Sequence, residues 1–214
     1  MLASLLAAPL VYAGPDQPTV TEVVAGVKDT YKGAQSVKAE FTQVRHDKLT
    51  GKDDRQHGKL AFERPNKLRI ETGDVGKPAK SVVVSDGKTI WVYAVDQKVV
   101  SQLPDANAAA SGMGISLDEL AKLDEIFTVS LMPEKPQKPS HTLQLVPKKP
   151  GPFKSLQLTL SKQKYVLQDL TLVDTMDNQI DMNFTMVRLN VDIPDSEFTF
   201  QPPAGVQVIK SGGM

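Results

Sequence analysis

Hydrophobic and polar side chains alternate through most of this chain with a period of two residues. In the segment 58–70, "GKLAFERPNKLRI", Leu60, Phe62 and Arg64 fall on one face of an extended strand. The opposite face carries Lys59, Ala61 and Glu63. Because a charged guanidinium is costly to bury alone, Arg64 either has polar partners at the rim of this apolar face or reaches solvent along its own stem.

The same alternation recurs to the end of the chain and predicts a long run of strands. Short turns separate most of them, and the polar segment 47–56 is one such turn. A sequential run of strands without intervening helices indicates a large antiparallel sheet, which curls toward a barrel at this size. The predicted strands are 36–44, 59–64, 67–72, 81–85, 88–95, 97–103, 128–132, 141–147, 154–161, 165–174, 179–190 and 197–209.

A helical period replaces the alternation near the start of the chain. Val20, Val23, Val24, Val27 and Tyr31 recur at the spacing of an amphipathic helix. A capping box of Thr19 with Glu22 marks its first turn, and Gly33 is a plausible stop. This helix has one apolar face, which must pack against the sheet.

A second helix is predicted at residues 115–127, here called the flap. Ser116 and Glu119 form a capping box, and Ile115 and Leu120 occupy the positions of a hydrophobic staple. The preceding segment, 104–114, consists mostly of small residues. The composition fits either a movable cover or an ordinary connection between strands. We therefore expect a mainly β domain over residues 14–214, with two or three helices on the concave side of its sheet.

Composition limits the possible environments and partners. The 25 basic and 25 acidic residues balance, which argues against a nucleic-acid partner. The absence of cysteine excludes disulfides and a lipid-modified N-terminal cysteine. Residues 1–13 fit a signal peptide cleaved after Ala13, although no basic residue precedes Lys28. The alternative is a buried helix of a cytosolic protein; export to the periplasm is the preferred reading.

The sequence contains no recognisable catalytic or metal-binding motif. His46, His57 and His141 are far apart and lack the spacing of metal ligands. Phosphate-binding loops and nucleophile elbows are absent as well. We expect no catalytic residue, no metal site and no cofactor, and the protein is predicted not to be an enzyme.

Several strands carry apolar residues on both faces. In residues 90–95, Ile90, Val92 and Ala94 alternate with Trp91, Tyr93 and Val95. Met182, Phe184 and Met186 share one parity in a late strand. Both faces of such strands must be covered. The pattern fits either a core beneath the helices or an apolar cavity whose methionines form an adaptable wall.

Four segments resemble the periplasmic outer-membrane lipoprotein carrier (LolA) family. They are "SVKAEFTQ", "GKLAFERPNKLRIE", "VVSDGKTIWVY" and "FTFQPPAGVQVI", and they occur in the family's order. The resemblance implies a half-open β-barrel with a helical lid over a hydrophobic cavity. It also implies that Arg64 faces this cavity and hydrogen-bonds the closed lid. The expected wall of the cavity comprises Phe41, Leu60, Phe62, Leu68, Trp91, Met182, Phe184 and Met186.

The resemblance also implies the partners. The cavity would take the acyl chains of lipoproteins released by an inner-membrane ABC transporter, and the carrier, expected to be a monomer, would pass them to an acceptor at the outer membrane. The acceptor itself carries an N-terminal cysteine, which this chain lacks. The alternative is a periplasmic lipid-binding or regulatory module of the same fold that does not carry lipoproteins.

Overall fold

The computed structural model describes residues 18–104, 115–134 and 139–210. The predicted signal peptide, residues 1–13, and most of the small-residue segment before the flap lie outside this part. Three α-helices are present in the described ranges: α1 (Val20–Lys32), α2 (Leu117–Leu120) and α3 (Leu123–Ile126). None of these helices combines the length and apolar character needed to cross a bilayer.

Twelve strands form a single sheet in the order β12-β6-β5-β4-β3-β2-β1-β11-β10-β9-β8-β7. Neighbouring strands are antiparallel, as predicted, except that β12 runs parallel to β6. The two end strands do not pair with each other, so the sheet stays open. The strands are β1 (Ser36–His46), β2 (Asp53–Glu63), β3 (Lys67–Gly73), β4 (Ser81–Asp86), β5 (Ile90–Ala94), β6 (Val99–Leu103), β7 (Phe127–Leu131), β8 (Ser140–Pro147), β9 (Phe153–Ser161), β10 (Leu167–Asp174), β11 (Gln179–Leu189) and β12 (Gln207–Lys210).

The sheet is strongly curved around the helices. Ile90 of β5 and Leu158 of β9 belong to one apolar cluster, although seven strand positions separate them. In a flat sheet these strands would lie about 34 Å apart, at about 4.8 Å per strand. The cluster closes because buried residues of all three helices fill the concave side between them. The predicted half-open barrel with a helical cover is confirmed.

Helix α1 forms where the apolar stripe predicts it. Thr19 caps the helix, and its hydroxyl accepts a hydrogen bond from the backbone N–H of Glu22, whose carboxylate accepts from the N–H of Thr19 in return. Its apolar stripe packs against the sheet, with Val23, Val27 and Tyr31 essentially without solvent contact. The helix ends at Lys32, and Gly33 is its C-cap. Both the stripe and the capping box are therefore confirmed.

The flap is two short helices instead of the one that was predicted. Its capping box of Ser116 and Glu119 is present, but α2 ends at Leu120 and α3 begins at Leu123. Leu117, Leu120 and Leu123 are all buried, each three residues after the last. Three residues turn an α-helix by about 300°, about 60° short of a full turn, so side chains at this spacing would point in progressively different directions on a continuous helix. The break between α2 and α3 lets all three leucines face the concave side.

A second, smaller apolar cluster lies on the convex side of the sheet. Ala61 of β2 packs there with Ile193 and Phe198 from the segment that follows β11. Phe198 ends a 3₁₀ helix, Asp195–Phe198. The predicted strand 197–209 is therefore wrong, since only Gln207–Lys210 pairs with the sheet. The opposite placement of Ala61 and its neighbours Leu60 and Phe62 confirms the parity read from the sequence.

The predicted turn at 47–56 is also too long. Strand β2 begins at Asp53, and its first residues pair with the end of β1, Asp53 opposite His46 and Asp54 opposite Arg45. These residues are exposed on both faces, so they show no apolar alternation that could mark them as a strand.

Candidate functional site on the concave face

Six of the eight side chains predicted to line a cavity lie together on the concave face. All six are buried in the main apolar cluster: Phe41, Leu60, Phe62, Leu68, Met182 and Phe184. The rings of Phe41 and Phe184 are centred 6.1 Å apart on the paired strands β1 and β11. These side chains form a continuous apolar surface under the helices.

Phe41 occupies the centre of this surface because β2 provides space for it. Gly58 is its direct partner across β1 and β2. A Cβ atom at Gly58 would lie only 2.2 Å from Cζ of Phe41. The ring therefore lies on bare backbone, and its position depends on the glycine.

Trp91 does not belong to this surface, and its prediction is corrected. Ile90 is buried in the main cluster and Val92 packs against it, so their side chains face the helices. Successive strand residues point to opposite faces, which places Trp91 on the convex side. Its ring lies 6.3 Å from that of Phe200, and the ring of Tyr93 lies 5.9 Å from the same phenylalanine.

Met186 is likewise absent from the concave face. Its side chain is 73% exposed and its φ is +51°. The register between β1 and β11 shifts there: Lys38 faces Arg188, but Glu40 faces Thr185. The extra residue in β11 is a β-bulge, which reverses the parity of the strand beyond it. Val187 instead packs against the main cluster.

Arg64 connects the sheet to two of the helices. Its Nε donates to the carbonyl oxygen of Ala34 at 2.7 Å, and Nη2 donates to that of Tyr31 at 3.2 Å. Tyr31 is in the last turn of α1 and Ala34 lies just beyond its C-cap, Gly33, so both carbonyls mark the negative end of the helix. Nη1 donates to the carboxylate of Asp118 on α2. The guanidinium thus bonds both the end of α1 and the flap, as the family resemblance implied for the closed lid.

The flap is also tied to α1 by a second ion pair. Nζ of Lys28 lies 2.8 Å from Oδ1 of Asp124 on α3. Lys148, beyond the end of β8, donates from Nζ to the carbonyl oxygen of the same Asp124 at 2.6 Å. The apolar side of the flap is buried and its rim is polar. Opening the flap would therefore break a few polar contacts and expose a larger apolar surface.

Helix α1 itself is anchored to the turn between β9 and β10. The backbone N–H of Leu167 donates to the Tyr31 hydroxyl at 2.8 Å, and the Thr30 hydroxyl donates to the carbonyl oxygen of Lys164 at 3.0 Å. Burial raises the pKa of Tyr31 to about 12, so its phenol is neutral at physiological pH. The ring of Tyr165 packs on Gly26, where a Cβ would lie 2.3 Å from Cε2. Arg64 thus has one anchored partner, α1, and one partner on the flap.

A groove of about 510 Å³ opens between α1 and strand β7 at the edge of the sheet. Val20 and Val24 of α1 and Phe127 and Val129 of β7 provide its apolar lining. Lys28, Asp124 and Lys148, the charged residues that hold the flap, line it as well. Phe127 belongs to the main apolar cluster, so the groove is continuous with the concave face.

The sequence did not identify the acidic residues that pair with Arg64 and Lys28. Asp118 and Asp124 read as ordinary charges in the first turns of short helices, where acidic residues are common. The available signal was their position in the flap, which was already a candidate source of partners for Arg64.

Comparisons with known proteins agree with this geometry. The family model described as outer membrane lipoprotein carrier protein LolA matches residues 32–201. An outer-membrane lipoprotein carrier protein from Chromobacterium violaceum is 29% identical over 209 residues, which cover 97% of each chain. One from Coxiella burnetii is 28% identical over 179 residues, covering 82% of this chain and 81% of the relative. An uncharacterized conserved protein from Thermus thermophilus has a similar structure, with a TM-score of 0.56, 11% identity and coverage of 89% of this chain and 98% of that one.

Proposed function

Because the chain belongs to the outer membrane lipoprotein carrier protein LolA family, we propose that it is a periplasmic carrier of lipoproteins. Its concave face takes the acyl chains of lipoproteins released from the inner membrane and carries them to the outer membrane. It does so by binding and release, without covalent chemistry. Its partners in this role are the acylated lipoproteins, an inner-membrane releasing ABC transporter and an acceptor at the outer membrane.

The observation that carries this proposal is the contrast between the two sides of the helical cover. Beneath it lie the apolar side chains around Phe41 and Phe62, with Ile115 and Leu120 of the flap packed in the same cluster. At its rim, Arg64 holds the flap and α1 through polar contacts. An entering acyl chain can take the place of the flap's apolar side chains against the sheet. Apolar contact is then exchanged for apolar contact, while the polar rim decides between open and closed.

Such an exchange suits a carrier, which must release what it binds. Full burial of an acyl chain is worth about 0.8 kcal/mol for each methylene group. An open site filled only by acyl chain would therefore hold a long chain very tightly. Here the closed flap competes for the same surface and offsets part of that free energy. Arg64 acts as the latch of the closed state.

A charge on the concave face tests the proposal. In Phe62→Asp, a carboxylate replaces a buried ring, and uptake of a fluorescent fatty acid should be lost while the far-UV circular dichroism of the sheet is retained. Val146→Asp places the same charge on an exposed strand position and should bind like the parent. Normal uptake by Phe62→Asp would remove this face from the acyl site.

A second measurement separates a lipoprotein carrier from a lipid-binding module. The protein is co-expressed with a lipoprotein-releasing transporter, purified, and examined by native mass spectrometry. We expect a complex with an intact acylated lipoprotein, which Phe62→Asp should lack. Fatty-acid uptake without any co-purified lipoprotein would favour the module that does not carry lipoproteins.

A further inference from the structure

Two hairpin turns at one end of the sheet carry exposed apolar side chains. Residues 47–52 join β1 to β2 and residues 175–178 join β10 to β11; together they are called the paired tips. Leu49 is 95% exposed in the first tip, and Met176 is 74% exposed in the second. Neither side chain contributes to the concave cluster or the convex one. The proposed acyl site therefore makes no use of them.

Polar contacts hold the paired tips side by side. Lys48 Nζ lies 2.9 Å from Oδ2 of Asp177, and the backbone N–H of Lys48 donates to Oδ1 of Asn178 at 3.2 Å. Lys154, at the start of β9, pairs with the other oxygen of Asp177. Strands β1 and β11 are themselves paired, with His46 opposite Gln179. The two turns that carry Leu49 and Met176 are thus held side by side at one end of the sheet.

A further cluster directly beneath the tips ties the same strands together. The ring of His46 lies between two carboxylates, with Nδ1 2.6 Å from Oδ1 of Asp53 and Nε2 3.0 Å from Oδ2 of Asp181. These residues belong to β1, β2 and β11 respectively. The base of the paired tips is therefore fixed across three strands.

Charges of both signs interleave around the paired tips. Three lysines and five aspartates lie in, beside or directly beneath the two turns: Lys48, Lys52, Lys154, Asp47, Asp53, Asp174, Asp177 and Asp181. Asp47 accepts a hydrogen bond from the backbone N–H of Thr50, and Asp174 accepts from that of Met176, so both carboxylates brace their own turns. A surface with interleaved charges of both signs is complementary to zwitterionic headgroups, which present a phosphate and an ammonium together. It offers no excess of positive charge to attract a polyanion.

The size and shape of the apolar surface favour a bilayer over a protein partner. A standard protein interface takes about 800 Å² from each partner, far more than two separate side chains supply. Single apolar side chains projecting between charged ones can instead enter the boundary between headgroups and acyl chains. We propose that the paired tips bind reversibly to the surface of a zwitterionic phospholipid bilayer, with Leu49 and Met176 inserted. This contact is separate from the proposed acyl site and does not rest on it.

Vesicle flotation tests the contact directly. The parent protein should float with phosphatidylcholine vesicles, and added salt should change the bound fraction little. Leu49→Ser combined with Met176→Ser should weaken the partition constant roughly tenfold or more, since two apolar side chains no longer enter the interface. Met186→Ser is the matched control, because Met186 is 73% exposed but lies on β11 away from the tips, and it should float like the parent.

Four outcomes would overturn the proposal. The first is that the parent protein does not float, and the second is that the double variant floats as well as the parent. The third is that Met186→Ser weakens flotation as much as the double variant does. The fourth is that binding requires phosphatidylglycerol and disappears when salt is added. Fatty-acid uptake by the double variant should match the parent, which distinguishes failure of this contact from failure of the acyl site. If the double variant floats normally but no longer transfers lipoprotein, the tips dock on a protein and the bilayer assignment is wrong.

Discussion

Removing each side of the Arg64 contact separately tests whether it is a latch. Arg64→Leu loses the bonds to the carbonyl oxygens of Tyr31 and Ala34 and to the carboxylate of Asp118. Asp118→Asn keeps a side chain of the same shape and loses only the charge on the flap. Asp118→Asn leaves the apolar surface around Phe62 unchanged, so its effect on uptake reports on closure of the flap. Arg64→Leu adds an apolar side chain at the rim of that surface, and Asp118→Asn is therefore its control.

The structure predicts equal effects on the flap and unequal effects on the fold. The side chain of Asp118 is 62% exposed, and an exposed ion pair is worth at most about 1 kcal/mol. Asp118 is the flap residue that Arg64 bonds, so each change should cost the closed state less than about 1 kcal/mol. The bonds from Arg64 to the carbonyl oxygens of Tyr31 and Ala34 do not involve the flap, and their loss in Arg64→Leu should in addition lower the free energy of unfolding.

A weaker latch should raise the apparent affinity for acyl chains, because the binding-competent open state becomes more populated. Titration with a fluorescent fatty acid should show a dissociation constant lowered up to fivefold in both Arg64→Leu and Asp118→Asn. Amide hydrogen exchange in α2 should quicken in both variants. Arg64→Leu should also retain lipoprotein when an acceptor is offered. Unchanged exchange and affinity in Arg64→Leu would refute the latch.

Two further predictions concern the sheet itself. Gly58→Ala should destabilise the protein by about 1–3 kcal/mol in urea unfolding, because the added Cβ would strike the Phe41 ring. Gly151→Ala is the control and should not be destabilised, because no atom lies within 4 Å of its added Cβ. Adding Phe41→Leu to Gly58→Ala should restore part of the lost stability, because the smaller side chain leaves room for the Cβ. The pKa of His46 is raised, first by the hydrogen bond to Asp53 and further by Asp181, so its contribution to stability is fully present below about pH 6.5 and is lost as pH rises through the folded-state pKa. As pH rises above about 6.5, the free energy of unfolding should therefore fall by more in the parent than in His46→Gln, and equal falls would show that the contacts of His46 contribute nothing.

Local patterns predicted the parts of the fold that local interactions determine. The stripe and capping box of α1 specify its start, its length and its buried face within one segment. The alternation of Leu60, Ala61 and Phe62 predicts which side chains reach the concave face, because β2 runs there without a bulge. The same alternation predicts that Arg64 lies on the concave face, at its rim.

Long-range pairing determined the features that sequence patterns missed. Met186 has the parity of Met182 and Phe184, but the bulge opposite Ala39 reverses it, and no glycine or asparagine stands at Met186 to signal the change. Trp91 was ambiguous because β5 is apolar on both faces. The segment after β11 returns to the convex side and brings Phe200 to Trp91. This long-range contact identifies the face of Trp91 as the convex one.

The arrangement of contacts supports the proposed uptake and release of a long apolar chain at one site. The flap buries Leu117, Leu120 and Leu123 against the sheet, so an acyl chain that displaces it restores apolar contact of the same kind. The apolar burial free energies of the flap-closed state and the acyl-bound state then nearly cancel, because the concave face is covered in both states. What remains is the difference in polar contacts at the rim, where Arg64 and Lys28 each meet a carboxylate of the flap. A few kcal/mol from those contacts can therefore control a burial free energy several times larger.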